Sequence, residues 1–144
     1  MIAALDRCLV RKVRFGIDSG AAATVMRSEE CGDYPIDFEE VTYRAANDTT
    51  LVTIGRRRLE CTSGACVRTE VAQEGKLSKN LMCLVELVDT GHHVEFDLET
   101  GYRATHKATG HVWEFTRRGK VFDIDFDIKP YAQTVPHGRG QRAP

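Results

Sequence analysis

The sequence predicts an all-β domain that carries one short helix. Three observations lead there. Runs of alternating apolar and polar residues recur along the chain, the clearest being Phe122-Asp123-Ile124-Asp125-Phe126-Asp127-Ile128, and a period of two marks a half-buried strand. Turn formers separate these runs at short intervals, at Asn47-Asp48, Thr62-Ser63-Gly64-Ala65, Glu99-Thr100-Gly101, Lys107-Ala108-Thr109-Gly110 and Arg117-Arg118-Gly119-Lys120. One stretch alone has a good helical period: Leu81, Leu84, Val85 and Val88 stand at i, i+3, i+4 and i+7.

Taken in order, Cys8 to Ile17 reads as a first strand pair or one long strand, with Val13, Phe15 and Ile17 alternating, and Thr24-Val25-Met26 as the strand that follows the next loop. From Arg27 to Phe38 periodicity is lost, and with Glu29, Glu30, Asp33 and Asp37 the segment reads as a solvated acidic loop. Val41 to Arg58 is expected to form two strands around the Asn47-Asp48 turn, with Arg56-Arg57-Arg58 on an exposed strand edge. Leu59 to Ala72 is a second hairpin. The helix has Ser78 as its expected N-cap and Gly91 as its C′ residue. After it comes a β-meander over 92–129, in which Asp123, Asp125 and Asp127 form the solvated face of the last strand. The polar stretch 130–144, rich in Gly, Pro, Arg and Gln, is expected to be a disordered tail. The 144 residues thus predict one domain over 1–129, with a core over 8–91 and the meander over 92–129.

Composition narrows the function classes. The formal net charge is -1 and the pI about 6.5, so no broad nucleic-acid or membrane surface is expected. No apolar run approaches the roughly 20 residues needed to span a bilayer. Asp6, Arg7, Arg11 and Lys12 interrupt any signal-peptide core. Five cysteines, an odd number without a secretion signal, favour reduced thiols and a cytoplasmic setting over a Cys61–Cys66 disulfide. Cys61, Cys66, His92 and His93 match no usual zinc spacing. No metal and no cofactor are expected.

The chemistry concentrates in Phe15-Gly16-Ile17-Asp18-Ser19-Gly20-Ala21-Ala22-Ala23-Thr24-Val25. An apolar strand delivers one carboxylate, and a hydroxyl, a glycine and small residues follow. Gly20 lets backbone come close, so that N–H groups of the turn can hold the Asp18 carboxylate. The Ser19 hydroxyl can reach main chain or cross a dimer axis. A second triplet, Asp89-Thr90-Gly91, follows a helical period and precedes His92-His93. It reads as a helix terminus. Asp18 and Asp89 are 71 positions apart, too close for two lobes that each hold a complete barrel.

The extended Asp18-to-Val25 pattern, with the segment Asn80-Leu81-Met82-Cys83-Leu84 and the run from His93 to Asp125, resembles the retropepsin-like aspartic proteases of retroviruses and Copia-type retrotransposons. The resemblance covers roughly residues 8 to 128. It implies a small closed barrel of the retropepsin type. Residues 41–58 would be the flap, and Ala45, Ala46, Asn47 and Asp48 at its tip, with Ala22 in the loop, would face substrate. Asp18 would be the catalytic residue, and Ser19, Gly20, Ala21 and Thr24 would form the active-site loop. The strand over 80–84 would pack under that loop, with Cys83 where the retroviral pattern has glycine and Copia-type proteases commonly have serine. Ala22 and Ala23 stand where retroviral proteases often carry an acidic residue.

The implied activity is that of an aspartic endopeptidase processing a retrotransposon polyprotein. Two carboxylates must share a proton around one water, one as general base and one donating to the scissile carbonyl. A chain with one Asp18 supplies half of that, so the resemblance implies a homodimer with both Asp18 side chains at its axis. Two unit charges about 4 Å apart repel by about 4 kcal/mol at an effective dielectric near 20, enough to keep one proton on the pair. Two alternatives remain open: an inactive retropepsin-like dimerisation or peptide-binding module, and an unrelated small β-barrel in which Asp18-Ser19-Gly20 is a plain turn.

Overall fold

A computed structural model describes residues 10–31, 33–44, 48–64 and 66–131, the side chain of Cys66 excepted. The chain is mostly β. Its strands are β1 (Arg11–Asp18), β2 (Val25–Arg27), β3 (Ile36–Arg44), β4 (Thr50–Ser63), β5 (Cys66–Gly75), β6 (Asn80–Cys83), β7 (His92–Asp97), β8 (Gly101–His106), β9 (Val112–Glu114), β10 (Thr116–Arg118) and β11 (Val121–Ile128). A 3-10 turn covers Ser28–Glu30, and a six-residue helix, α1, covers Leu84–Asp89. No helix among the described residues is long and apolar enough to cross a membrane.

The strands form an eight-stranded sheet in the order β10-β11-β1-β6-β2-β5-β4-β3 and a separate three-stranded sheet, β7-β8-β9. This differs from the small closed barrel expected. The large sheet curls until β11 also meets β4, at Asp127↔Thr62 and Ile128↔Cys61, but β10 and β3 end it as edges. The single meander expected over 92–129 also divides. Its first three strands make the small sheet, while β11 returns across the whole chain to pair antiparallel with β1.

Most turns fall where their residues demand. Gly64, Gly91, Gly101, Gly110 and Gly119 all have positive φ, which an L side chain adopts only at a cost. Asp48 shares that conformation, with φ 71. The two hairpins share one 14-residue strand, β4. This puts Arg56-Arg57-Arg58 inside the sheet, between β3 and β5, and not on an exposed edge. Arg57 is held there by Glu74, Nε to Oε1 at 2.7 Å, and it also donates to the carbonyl of Tyr34. Gly55 permits the register shift in β4, because a Cβ there would lie 2.6 Å from the Asp37 carbonyl oxygen. The segment 27–38 is less solvated than its charges suggest. Cys31 and Tyr34 are buried, and Arg27 pairs with Glu29 and Glu30 at 2.8 and 3.0 Å.

Val13, Phe15, Met26, Leu59, Met82, Ile124, Phe126 and Ile128 build the core. Trp113 of β9 ties the small sheet to it, edge-on to Phe126 with ring centroids 5.2 Å apart. Along β11 the period-two pattern holds. Ile124, Phe126 and Ile128 are buried while the three Asp are part-exposed. Asp125 pairs with Arg14 and Asp123 with Arg118, each at 2.9 Å.

The helix is shorter than its period predicts and buries a different face. Asn80–Cys83 is drawn into the sheet as β6, so α1 starts only at Leu84, with Cys83 and not Ser78 as its N-cap. Leu84 and Leu87 then meet the core, whereas Val85 and Val88 are exposed. Gly91, with φ 88, does end it.

Candidate active-site loop

β1 runs parallel to β6, with Asp18 opposite Cys83. β2 runs antiparallel to β6, with Val25 opposite Leu81. The loop over 19–24 therefore joins two strands that have a third inserted between them. β6 pairs with both neighbours, and the Asn80 side chain adds a bond to each. It accepts from the Arg27 N–H at 2.7 Å and donates to the Arg14 carbonyl at 2.9 Å. Asn80 is 2 % exposed, and a buried amide that satisfies both strands fixes their spacing.

Asp18 ends β1 and is half-buried. Its Oδ1 accepts the Gly20 N–H at 2.8 Å, and the Ala21 N–H turns back to its carbonyl at 3.4 Å. A Cβ on Gly20 would stand 3.4 Å from that Oδ1, an ordinary van der Waals contact, so space beside the carboxylate does not demand the glycine. Ser19, Gly20 and Ala22 are exposed, and Ala23, Thr24 and Val25 point inward. One limb of the loop thus presents Asp18 to solvent while the other is buried.

Thr24 belongs to the buried limb. Its hydroxyl accepts the Cys83 N–H at 3.1 Å and donates to Glu86 Oε1 at 2.7 Å. Cys83 fits beneath the loop where a glycine would leave space, and its Sγ donates to the Ala21 carbonyl at 3.0 Å. Sequence reasoning missed Glu86. No motif marks it, and its partner lies 62 positions away.

The remaining sequence-derived candidates lie apart from this centre or outside the description. Ala45, Ala46 and Asn47 fall outside the described residues. Asp48 is exposed and pairs with Arg44 at 3.1 Å. Asp89-Thr90-Gly91 closes α1, with Thr90 N–H and hydroxyl both donating to the Glu86 carbonyl. Cys61 is fully buried and its thiol is pushed up to about 12 by burial, so it packs as a small apolar group. His92 has both ring nitrogens engaged, Nδ1 with the Leu87 carbonyl and Nε2 with Arg68, each at 2.9 Å. Comparison with protein-family models, with curated proteins and with solved structures gives no match.

Proposed function

We propose that the chain is an aspartic endopeptidase of the retropepsin type, acting as a homodimer on peptide or polyprotein substrate in the cytoplasm, with Asp18 of each chain contributing one carboxylate. One observation carries this. A solvent-reachable carboxylate stands at the end of a buried strand, oriented by a backbone N–H two residues on, in a loop whose flanking strands clamp a third strand beneath it. That is a rigid mount for a single acid, and it is more support than a plain turn requires. The two carboxylates of the dimer would share one proton. One would take a proton from water as it attacks, and the other would donate to the carbonyl oxygen. The hairpin of β3 and β4 would serve as the flap over bound peptide. Within the loop, Ser19 and Ala22 would lie on the substrate side.

A second reading, a peptide-binding or dimerisation module without turnover, is favoured by Ala22 and Ala23, which bring no polar group to the loop. Cleavage of a peptide library across roughly pH 4 to 7 separates the two. The expected result is turnover by wild type, blocked by pepstatin and lost in Asp18→Asn. An Asp18→Asn protein that cuts as well as wild type overturns the assignment.

A further inference from the structure

We infer that Glu86 is a positioning residue that anchors the Asp18 loop from below, through Thr24. The protein's own hydrogen-bond directions lead to it. Thr24 is 1 % exposed, and its hydroxyl has one proton to give. Because that oxygen accepts from the Cys83 N–H, the proton goes to Glu86 Oε1 at 2.7 Å. Position 86 must therefore offer an acceptor, and a carboxylate makes the stronger bond. The carboxylate sits in the first turn of α1, which follows directly from the strand paired with Asp18. Helix, under-strand and loop are thereby locked as one unit. Glu70 is 7 % exposed, and burial holds its carboxyl above the ordinary range, with Arg68 opposing and Glu86 adding to the rise. Arg68 pairs with Glu70 at 3.2 Å and bonds His92 at 2.9 Å.

The anchoring stands on geometry alone. Its consequence for catalysis rests on the proposed peptidase function, so the test has two arms. The first is amide hydrogen exchange over 19–24, with the β4–β5 hairpin as internal control. Glu86→Ala and Thr24→Val should each speed exchange in the loop by about tenfold or more, the scale of one hydrogen bond to a charged group, and leave the hairpin unchanged. Glu86→Gln keeps an acceptor and should stay within about threefold of wild type. The double variant Glu86→Ala/Thr24→Val should be no worse than Thr24→Val alone, since Thr24→Val already removes the bond to Glu86 along with the acceptor for the Cys83 N–H. If Glu86→Ala does not fold, Glu86→Met, of similar length and without an acceptor, carries the same comparison. Loop exchange at the wild-type rate in the Ala or Met variant overturns the proposal. In the second arm, kcat should fall in the Ala variant with KM little changed, and Glu86→Gln should restore it. A wild-type protein that cleaves no peptide refutes the peptidase function, and the exchange arm still decides the anchor.

Discussion

The chain carries two Asp-(Ser/Thr)-Gly triplets, and the structure uses them in opposite ways. Asp18-Ser19-Gly20 leaves a buried strand and turns its carboxylate back onto its own glycine N–H. Asp89-Thr90-Gly91 leaves a helix, and its threonine turns back onto the helix carbonyls of Glu86 and Leu87 at 2.7 and 3.2 Å. In the first, the acid is held and the hydroxyl residue is exposed. In the second, the hydroxyl is held and the acid is exposed. The glycines differ too. Gly91 is required for its backbone, with φ 88, whereas Gly20 is not left-handed and a Cβ there would only touch Asp18 Oδ1 at 3.4 Å. Three residues do not define a site. The element that delivers them decides which side chain is fixed.

The largest expected effect separates the two acids. On the proposed function, Asp18→Asn removes the proton-transferring group but keeps an oxygen for the Gly20 N–H, so peptide turnover should drop by about 10²–10⁴-fold with the melting temperature preserved. Asp89→Asn should leave turnover within about twofold, since an exposed terminal carboxylate has little to lose. A folded but inactive Asp89→Asn protein would reverse the choice of triplet.

Glycine substitutions sharpen the same contrast. In Gly20→Ala the new methyl group meets Oδ1 at an ordinary contact distance of 3.4 Å, so neither the carboxylate nor the fold has to shift. Both kcat and the melting temperature should stay close to wild type, kcat within about twofold. Gly91→Ala differs. It forces an L side chain into the left-handed region, at about 1–2 kcal/mol, and lowers the melting temperature by several degrees without touching kcat. A Gly20→Ala protein that melts as low as Gly91→Ala would erase the distinction.

What the sequence made legible follows from range. Turns are local, and Asp48, Gly64, Gly101, Gly110 and Gly119 fall where their chemistry places them. The strict alternation of β11 gave its buried face correctly. Its partner was not legible, because nothing near residue 124 says that Phe15 will lie opposite. The helix failed for a related reason. Leu81 fits a helical period, but pairing with Gly16 and Val25 claims it for a strand, and long-range pairing overrides local period. The arginine run looked like an edge because the acids that pair with Arg56 and Arg57, namely Asp37, Glu39 and Glu74, arrive from other strands. Within the loop, Asp18 and Gly20 were legible, and the resemblance put the strand over 80–84 beneath it, whereas the individual bonds from Asn80, Cys83 and Glu86 act across gaps of 53 to 66 positions.

The smallest expected effect lies just past the second triplet, at His92. Its Nδ1 proton is committed to the Leu87 carbonyl, so Nε2 must carry the lone pair that accepts from Arg68. A second proton would set N–H against a guanidinium N–H. Burial, then the Arg68 charge, hold the imidazole below its ordinary value of 6.5, with His106 adding to this and the Leu87 carbonyl opposing it. Since the folded pKa lies below the unfolded one, the unfolded chain takes the proton first as pH falls. Stability from His92 is therefore complete above about 6.5 and declines as pH drops toward the folded value. Glu70, reached through Arg68, acts with the opposite sign, because its raised carboxyl favours the folded state as pH falls toward its own range. The difference between wild type and His92→Gln isolates the histidine from it. The variant should melt lower at pH 7.5, and the gap should narrow toward pH 5 by no more than about 1.4 kcal/mol per pH unit, the limit for one titrating group. A gap that stays constant would mean that His92 is not held neutral, and that Arg68 is secured by Glu70 and Trp113 alone.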